Sequence, residues 1–485
     1  MSSPLIELFD MVVVGSGPAG QHAATQAARH GQQVLVIEKS RGVGGECVHR
    51  GTIPSKTLRE TTVARFRFPK RTGGVFPLET PEHLQVASLM TRMDRVIRGH
   101  ERLIASQLRR EGVTLWHGRA RLEDPHTLKV VQPGGGPPRW ARGRVLVLAT
   151  GSRPRHPQQV PVDHEHILDS DSLLSMIYLP HSMTVLGGGV IACEYASIFA
   201  ALGVTVNLVA REPVPLRWMD PELSRRFVHR FEAMGGTFVG GRSITQVAWD
   251  GVNTVVTTLE DGTEVRADKA LCALGRVANL DKLNIEAAHL TTTSRGHLEV
   301  DSACRTLAAP HIYAVGDIIG PPALAVTSME QGRRAARHAL GLETPERFGI
   351  IPTGIYAVPE MSMVGLTEPQ VTEAHGGAMI GRASFSEVAR GLIANIPDGF
   401  LKLIADPEGR RVLGVHIIGE GATELVHLGQ MALIHEAEVD LFVDQTFNFP
   451  TLAEAYRVAA LDIVAQRNAL TRPDTRTEPS PRACA

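Results

Sequence analysis

Cys47 and Thr52 stand five positions apart in the run Gly44-Gly45-Glu46-Cys47-Val48-His49-Arg50-Gly51-Thr52-Ile53-Pro54-Ser55-Lys56. Two thiols at that spacing could cycle between dithiol and disulfide. Here the second position is a hydroxyl, which neither closes a disulfide nor supplies a thiolate. Electrons handled at this segment must leave by a route other than sulfur exchange. The remaining cysteines, Cys193, Cys272, Cys304 and Cys484, show no paired spacing. That argues against a metal site and against a secreted disulfide framework. They read as reduced thiols packed as small hydrophobes, as expected of a cytoplasmic protein.

A second chemistry is written in glycine. An apolar strand over residues 11–14 runs into Gly15-Ser16-Gly17-Pro18-Ala19-Gly20, an alanine-rich helix follows to about His30 with Gly31 as its stop, and a strand covers residues 34–38. A strand entering such a turn aims backbone N–H groups and a helix N-terminus at a pyrophosphate. Glu38, 23 positions after Gly15, can accept hydrogen bonds from a ribose.

The layout recurs over residues 183–209, with Gly187-Gly188-Gly189-Val190-Ile191-Ala192 as the turn, a helix to Leu202, and a strand from Val204. Ala192 in the third glycine's place still permits close helix–strand packing. At the same offset of 23 stands Ala210, followed by Arg211. An acid there would repel a ribose 2′-phosphate, whereas an arginine can pair with one. The second site is therefore expected to accept NADP(H). Arg211 as a plain solvated charge, and Glu212 as a partner for an unphosphorylated ribose, leave NAD(H) admitted as well.

Two strand–turn–helix–strand units imply two nucleotide-binding domains with parallel sheets. Between them, apolar residues at helical spacing over 86–110 predict a helix closed by Gly112, and the glycine- and proline-rich stretch 132–139 predicts a turn between strands. Residues 350–415 read as short strands and turns, followed by helices over 422–438 and 451–467, an α+β domain. Thr451 and Glu454 form a capping-box pattern for the last helix. The segment from about Thr471 has the composition of a disordered tail.

With 485 residues the chain is long enough for three or four domains. Fifty basic residues against 51 acidic ones leave a net charge of -1, which gives no support to nucleic-acid binding. No apolar run reaches the roughly 18 residues that cross a bilayer. Residues 1–10 lack the pattern of a signal peptide, and Cys484, second from the end, rules out a prenylation box.

Taken together these residues resemble the pyridine nucleotide-disulfide oxidoreductases. The likeness runs from about Asp10 to Asn468 and includes Leu148-Ala149-Thr150-Gly151-Ser152-Arg153-Pro154 and Ile312-Tyr313-Ala314-Val315-Gly316-Asp317-Ile318. The resemblance implies an α/β fold: two Rossmann-like nucleotide-binding domains, for FAD and NAD(P), and a C-terminal α+β dimerisation domain. Its boundaries fall at residues 1–152 and 279–347 for FAD, 153–278 for NAD(P), 348–470 for dimerisation and 471–485 for the tail. It implies FAD contacts by Gly15, Ser16, Gly17, Pro18, Ala19, Gly20, Glu38, Lys39, Gly44, Gly45, Cys47, Thr52, Lys56, Ala120, Thr150, Gly151, Asp317 and Ala325. For NAD(P) it implies Gly187, Gly188, Gly189, Val190, Ile191, Arg211, Val247 and Gly275. Lys56 is expected beside the flavin, paired with Glu194, as the catalytic pair; no metal is expected.

Two departures select a branch. Thr52 replaces the second cysteine, and Phe449 stands where the family's disulfide reductases carry a histidine acid–base. Both departures, with Ala453-Glu454-Ala455-Tyr456-Arg457-Val458-Ala459-Ala460, resemble the branch that moves hydride between nicotinamide nucleotides. The implied reaction is NADPH + NAD+ = NADP+ + NADH, carried through FAD by a homodimer or larger homo-oligomer. A flavin NAD(P)H oxidase or quinone reductase, with Cys47 as a sulfenic acid centre, is the nearest alternative. A non-catalytic flavoprotein subunit is the second. Cys47 otherwise reads as packing, Thr52 as shape with a hydroxyl to offer, and His49 and His435 as surface or structural residues.

Overall fold

The computed structural model describes residues 5–73, 75, 86–344 and 349–471. Residues 472–485 of the expected tail, and the boundary expected at residues 347–348, lie outside them. The chain divides into two compact units. One comprises residues 1–67, 77–215 and 231–348, the other 68–76, 216–230 and 349–485.

The first unit is built on two main sheets, the larger one mixed and the other parallel. In the larger, Thr114–His117, Val34–Glu38, Ile6–Val14 and Arg139–Leu148 lie side by side, and Ile312–Ala314 adds in parallel beside the last of these. Its inner strands are apolar without alternation because both faces are covered. Met11, Val13, Val34 and Val36 meet the alanines of the first helix, Pro18–Ala28, while Val12, Val14, Leu35 and Ile37 meet Trp116, Leu128 and Leu290 on the other face. The predicted turn joins Thr127–Val131 to Arg139–Leu148 in antiparallel pairing, and the expected helix runs Val86–Arg110.

The second sheet is five-stranded and parallel, in the order Thr237–Val239, Thr205–Val209, Ser182–Leu186, Lys269–Cys272, Ile167–Asp169. A two-stranded ribbon, Ser152–Pro154 against Arg276–Ala278, carries the chain out to this sheet and back.

The second unit is an α+β layer. Its five-stranded antiparallel sheet has the order Thr353–Ile355, Met361–Gly365, Val412–Ile418, Phe400–Ala405, Met379–Ser384. The helix expected over 422–438 stops at Ile434, since Glu436 takes a left-handed conformation (φ 49°) and Ala437 turns back to Ala432. The last helix starts at Glu454 rather than Thr451. Half of the capping box forms: Thr451 N–H donates to the Glu454 carboxylate at 3.3 Å, while the Thr451 hydroxyl accepts from Ala453 at 3.4 Å.

Candidate active site

The first glycine turn is folded around Glu38. Gly15 adopts φ 105°, a conformation open to glycine, and Gly187 repeats it at φ 123° in the second turn. Ser16 donates its N–H and its hydroxyl to one oxygen of Glu38, at 2.9 and 2.7 Å, and Ser40 N–H donates to the other at 2.9 Å. An ionised carboxylate has about four acceptor sites, so these three bonds leave room for a ribose hydroxyl.

The first helix begins at Pro18 after Gly17, and the helix Val190–Ala201 begins after Gly189; neither has a side-chain cap. Their leading N–H groups are thus not taken up by a capping side chain, as binding the pyrophosphate of a dinucleotide requires. On this count both turns fit the nucleotides that the sequence implies.

Lys56, on the helix Thr52–Thr72, reaches Glu194 on the helix Val190–Ala201. Its Nζ lies 2.7 and 2.8 Å from the two carboxylate oxygens, and 3.3 Å from the Ser55 hydroxyl. Glu194 is 5% exposed and the lysine 25%. Cys47 lies close by. Burial pushes its thiol up from the ordinary value, while a hydrogen bond with Thr52 and the Lys56 charge oppose the rise and Asp317 adds to it. Thr52, Lys56 and Asp317 thus all act on the Cys47 thiol. The thiol stays protonated at neutral pH, a poor nucleophile.

Asp317 sits in a 3-10 turn, Gly316–Ile319. Its carboxylate accepts from the Ser152 hydroxyl at 2.5 Å, and Arg276 donates to that hydroxyl at 2.7 Å and to the Ser152 carbonyl at 2.9 Å. Gly316 N–H donates to the Gln331 side chain at 2.7 Å. Sequence reasoning missed Ser152, Arg276 and Gln331 as orienting groups; only the position of Ser152 beside Gly151 could have signalled one of them. Thr150 and Gly151 are tied to Asn279 by reciprocal bonds of 2.9 to 3.0 Å. Ala120 is buried in the strand Arg119–Leu122, Ala325 opens the helix Ala325–Ala339, and Lys39 is exposed at the end of the second strand.

In the second turn the Cβ of Ala210 approaches so closely that a Cβ on Gly188 would lie 3.1 Å from it. Arg211 points into solvent, 77% exposed, with Glu212 at 3.0 Å. The Val247 side chain belongs to the hydrophobic core, and its N–H donates to Gln159 O at 2.9 Å. Gly275 adopts φ 103° where the chain leaves the last inner strand. Phe449 belongs to the second unit and is 69% exposed. His49 serves a structural bond to Val43 O, and His435 ends a helix at the surface. Among the described residues four cysteines are free thiols, no cluster suits a metal, and no helix is long and apolar enough to cross a membrane.

A family model described as pyridine nucleotide-disulphide oxidoreductase matches residues 9–332, and one described as that family's dimerisation domain matches residues 351–460. A soluble pyridine nucleotide transhydrogenase of Mycobacterium bovis is 41% identical over 96% of this chain and 99% of its own. Proteins of the same name from Vibrio atlanticus and Pseudomonas putida are 40% and 38% identical, each over 94% of this chain and at least 97% of their own. The crystal structure of LpdA from Mycobacterium tuberculosis superposes with a TM-score of 0.85 at 27% identity, covering 94% of this chain and 99% of that one. The flavoprotein disulfide reductase RclA of Escherichia coli, 24% identical with a TM-score of 0.84 over 94% of this chain and 99% of its own, shares the fold.

Proposed function

The chain belongs to the pyridine nucleotide-disulphide oxidoreductases, and from that premise we propose that it is an FAD-dependent transhydrogenase using no redox disulfide. It moves a hydride from NADPH to NAD+, yielding NADP+ and NADH. The observation that carries the reading is the Lys56–Glu194 ion pair on a segment where the free thiol of Cys47 has Thr52 in place of a second cysteine. The cationic part of such a site is kept, and the sulfur-exchange part is missing. The names of relatives at 38 to 41% identity support the same conclusion.

FAD, when bound, supplies reversible two-electron chemistry at its N5, so that one nicotinamide can be oxidised and another reduced in successive visits. Gly15 to Gly20 and Glu38 hold its pyrophosphate and ribose, with Lys39, Gly44, Gly45, Ala120, Thr150, Gly151, Asp317 and Ala325 lining the remainder. Glu194 fixes the Lys56 ammonium, whose charge favours an anionic neighbour. Gly187 to Ile191, Val247 and Gly275 receive either nicotinamide nucleotide, and Arg211, unopposed by an acid at 210, admits a 2′-phosphate. No proton relay is needed, because hydride arrives and leaves with both electrons.

The division into FAD segments 1–152 and 279–347, an NAD(P) segment 153–278 and a dimerisation segment 348–470 belongs to this reading. So do a homodimer formed through the last segment and a cytoplasmic location, the latter in keeping with the free thiols. The test is anaerobic reduction by NADPH followed by a thionicotinamide analogue of NAD+. The analogue should be reduced as the oxidised flavin spectrum returns. An inert analogue would sink the transhydrogenase reading, and rapid reoxidation on admitting air would favour an oxidase.

A further inference from the structure

Glu46 is used by nothing described so far. It follows Gly45, which is pressed against the first glycine turn: a Cβ on Gly45 would stand 2.8 Å from Gly17 Cα. The preceding Gly44 N–H lies 3.1 Å from the Ser16 hydroxyl and 3.2 Å from the Ser16 carbonyl. The segment carrying Glu46 is therefore docked on the loop whose N–H groups await a pyrophosphate. That is an odd place for a carboxylate, since two anions would face each other.

The Glu46 carboxyl is not set up as an anion. Its Oε2 is enclosed by protein and meets no hydrogen-bond donor. Enclosing a charged oxygen without a donor is costly, and a neutral carboxyl lowers the cost by keeping that oxygen as a carbonyl. The proton then rests on Oε1. The surrounding charges are divided. Burial raises the carboxyl above the ordinary carboxylate range and Asp171 raises it further, against the opposing charges of Arg50, Lys39 and Arg276. Arg50 is shared with Asp171 at 3.2 Å, and Arg276 is bonded to Ser152. The carboxylates of Glu38 and Asp317, by contrast, are held by Ser16, Ser40 and Ser152.

We propose that Glu46 is a cofactor-binding residue that acts as a neutral acid, its Oε1–H donating a hydrogen bond to a pyrophosphate oxygen of FAD. The inference rests on FAD being the occupant of the first turn. Above the free carboxyl's pKa, FAD binding takes up one proton from solvent, so the dissociation constant rises with pH by up to about tenfold per unit. The stabilisation is full at low pH and is lost as pH rises, the opposite of what an ordinary carboxylate would give.

The experiment is dilution of the purified holoenzyme between about pH 5.5 and 9, with released FAD read at equilibrium from its fluorescence. The wild-type constant should climb with pH. Glu46→Gln, whose amide donates but cannot ionise, should bind as tightly at the acidic end and show a flat profile. Glu46→Ala should be flat and weaker by about tenfold at the acidic end. A Glu46→Gln profile parallel to wild type, or an alanine variant equal to wild type at low pH, would overturn the proposal. A protein that purifies without flavin and takes none up would instead remove the FAD reading on which it stands.

Discussion

The ammonium of Lys56 lies 2.7 and 2.8 Å from the two carboxylate oxygens of Glu194, and 138 residues of sequence separate them. The pair joins the helix after the cysteine segment to the helix of the second glycine turn, so both nucleotide elements share one ion pair. Replacing Glu194 by Gln leaves the lysine charge poorly matched. We expect a loss of about 2 kcal/mol in thermal stability, below the usual cost of breaking a buried pair because a quarter of Lys56 is exposed. Lys56→Gln should slow flavin reduction by NADPH about a hundredfold in stopped flow. A double variant less stable than the sum of the singles would contradict a direct pairing.

The Cys47 thiol should react slowly. Burial holds it protonated, with the Thr52 hydrogen bond and Lys56 only partly opposing. Alkylation by iodoacetamide at pH 7.5 should run at least about tenfold slower than for an exposed cysteine, and Cys47→Ala should keep most NADPH-to-NAD+ turnover. Turnover lost with the sulfur would show that thiol chemistry takes part.

Arg211 carries nucleotide preference if the 2′-phosphate reading holds. Arg211→Ala should raise KM for NADPH about tenfold and leave KM for NADH within about twofold. Equal changes for both nucleotides would assign the residue to the solvated surface, where it already faces Glu212.

In the second unit a buried lysine gathers three acids. Lys402, 2% exposed, lies 2.9 Å from Asp220, 3.3 Å from Glu222 and 2.6 Å from Glu368. Burial alone would raise Asp220, but the Lys402 hydrogen bond and charge outweigh it and hold the carboxyl below its ordinary value. A depressed carboxyl stabilises above its unfolded pKa of about 3.9 and loses that contribution as pH falls through the folded value. His416, buried and bonded through Nε2 to Leu366 O, is lowered by burial, so its own contribution is lost earlier, below about pH 6.5. Acid denaturation should therefore begin with a shallow loss near pH 6 that His416→Gln reduces. Asp220→Asn should cost about 3–5 kcal/mol at pH 7. An unchanged acid midpoint in Asp220→Asn would rule the cluster out as its origin.

What could be read from the sequence was local. The glycine turns and their flanking apolar strands lie within short windows whose periodicity and spacing carry the signal, whereas the role of Lys56 came from the family resemblance. Glu194 was reachable only through family resemblance, because nothing in its own helix marks a partner 138 residues away. Ser152, Arg276 and Gln331 were missed for the same reason: Ser152 and Gln331 reach Asp317 and its turn from elsewhere in the chain, and Arg276 acts through Ser152. Asp220 binds Lys402, 182 residues further on, which no local pattern announces either. Glu46 was passed over because a glutamate beside glycines looks like an ordinary charge until one oxygen is found enclosed.

The strand Ile312–Ala314 sits directly beside Arg139–Leu148, although the whole second sheet is translated in between. A ribosome adding about 5–20 residues per second needs roughly ten to thirty seconds to cover that gap. During this interval the nascent chain exposes an unpaired edge of Val145 to Leu148, a template for wrong partners. Asp317 and the helix beginning at Ala325 emerge later still, so the nascent protein cannot complete its flavin cradle until about two thirds of it has been made. Truncated chains ending before residue 312 should be captured by chaperones or aggregate, and flavin loading should be a late event in the life of each molecule.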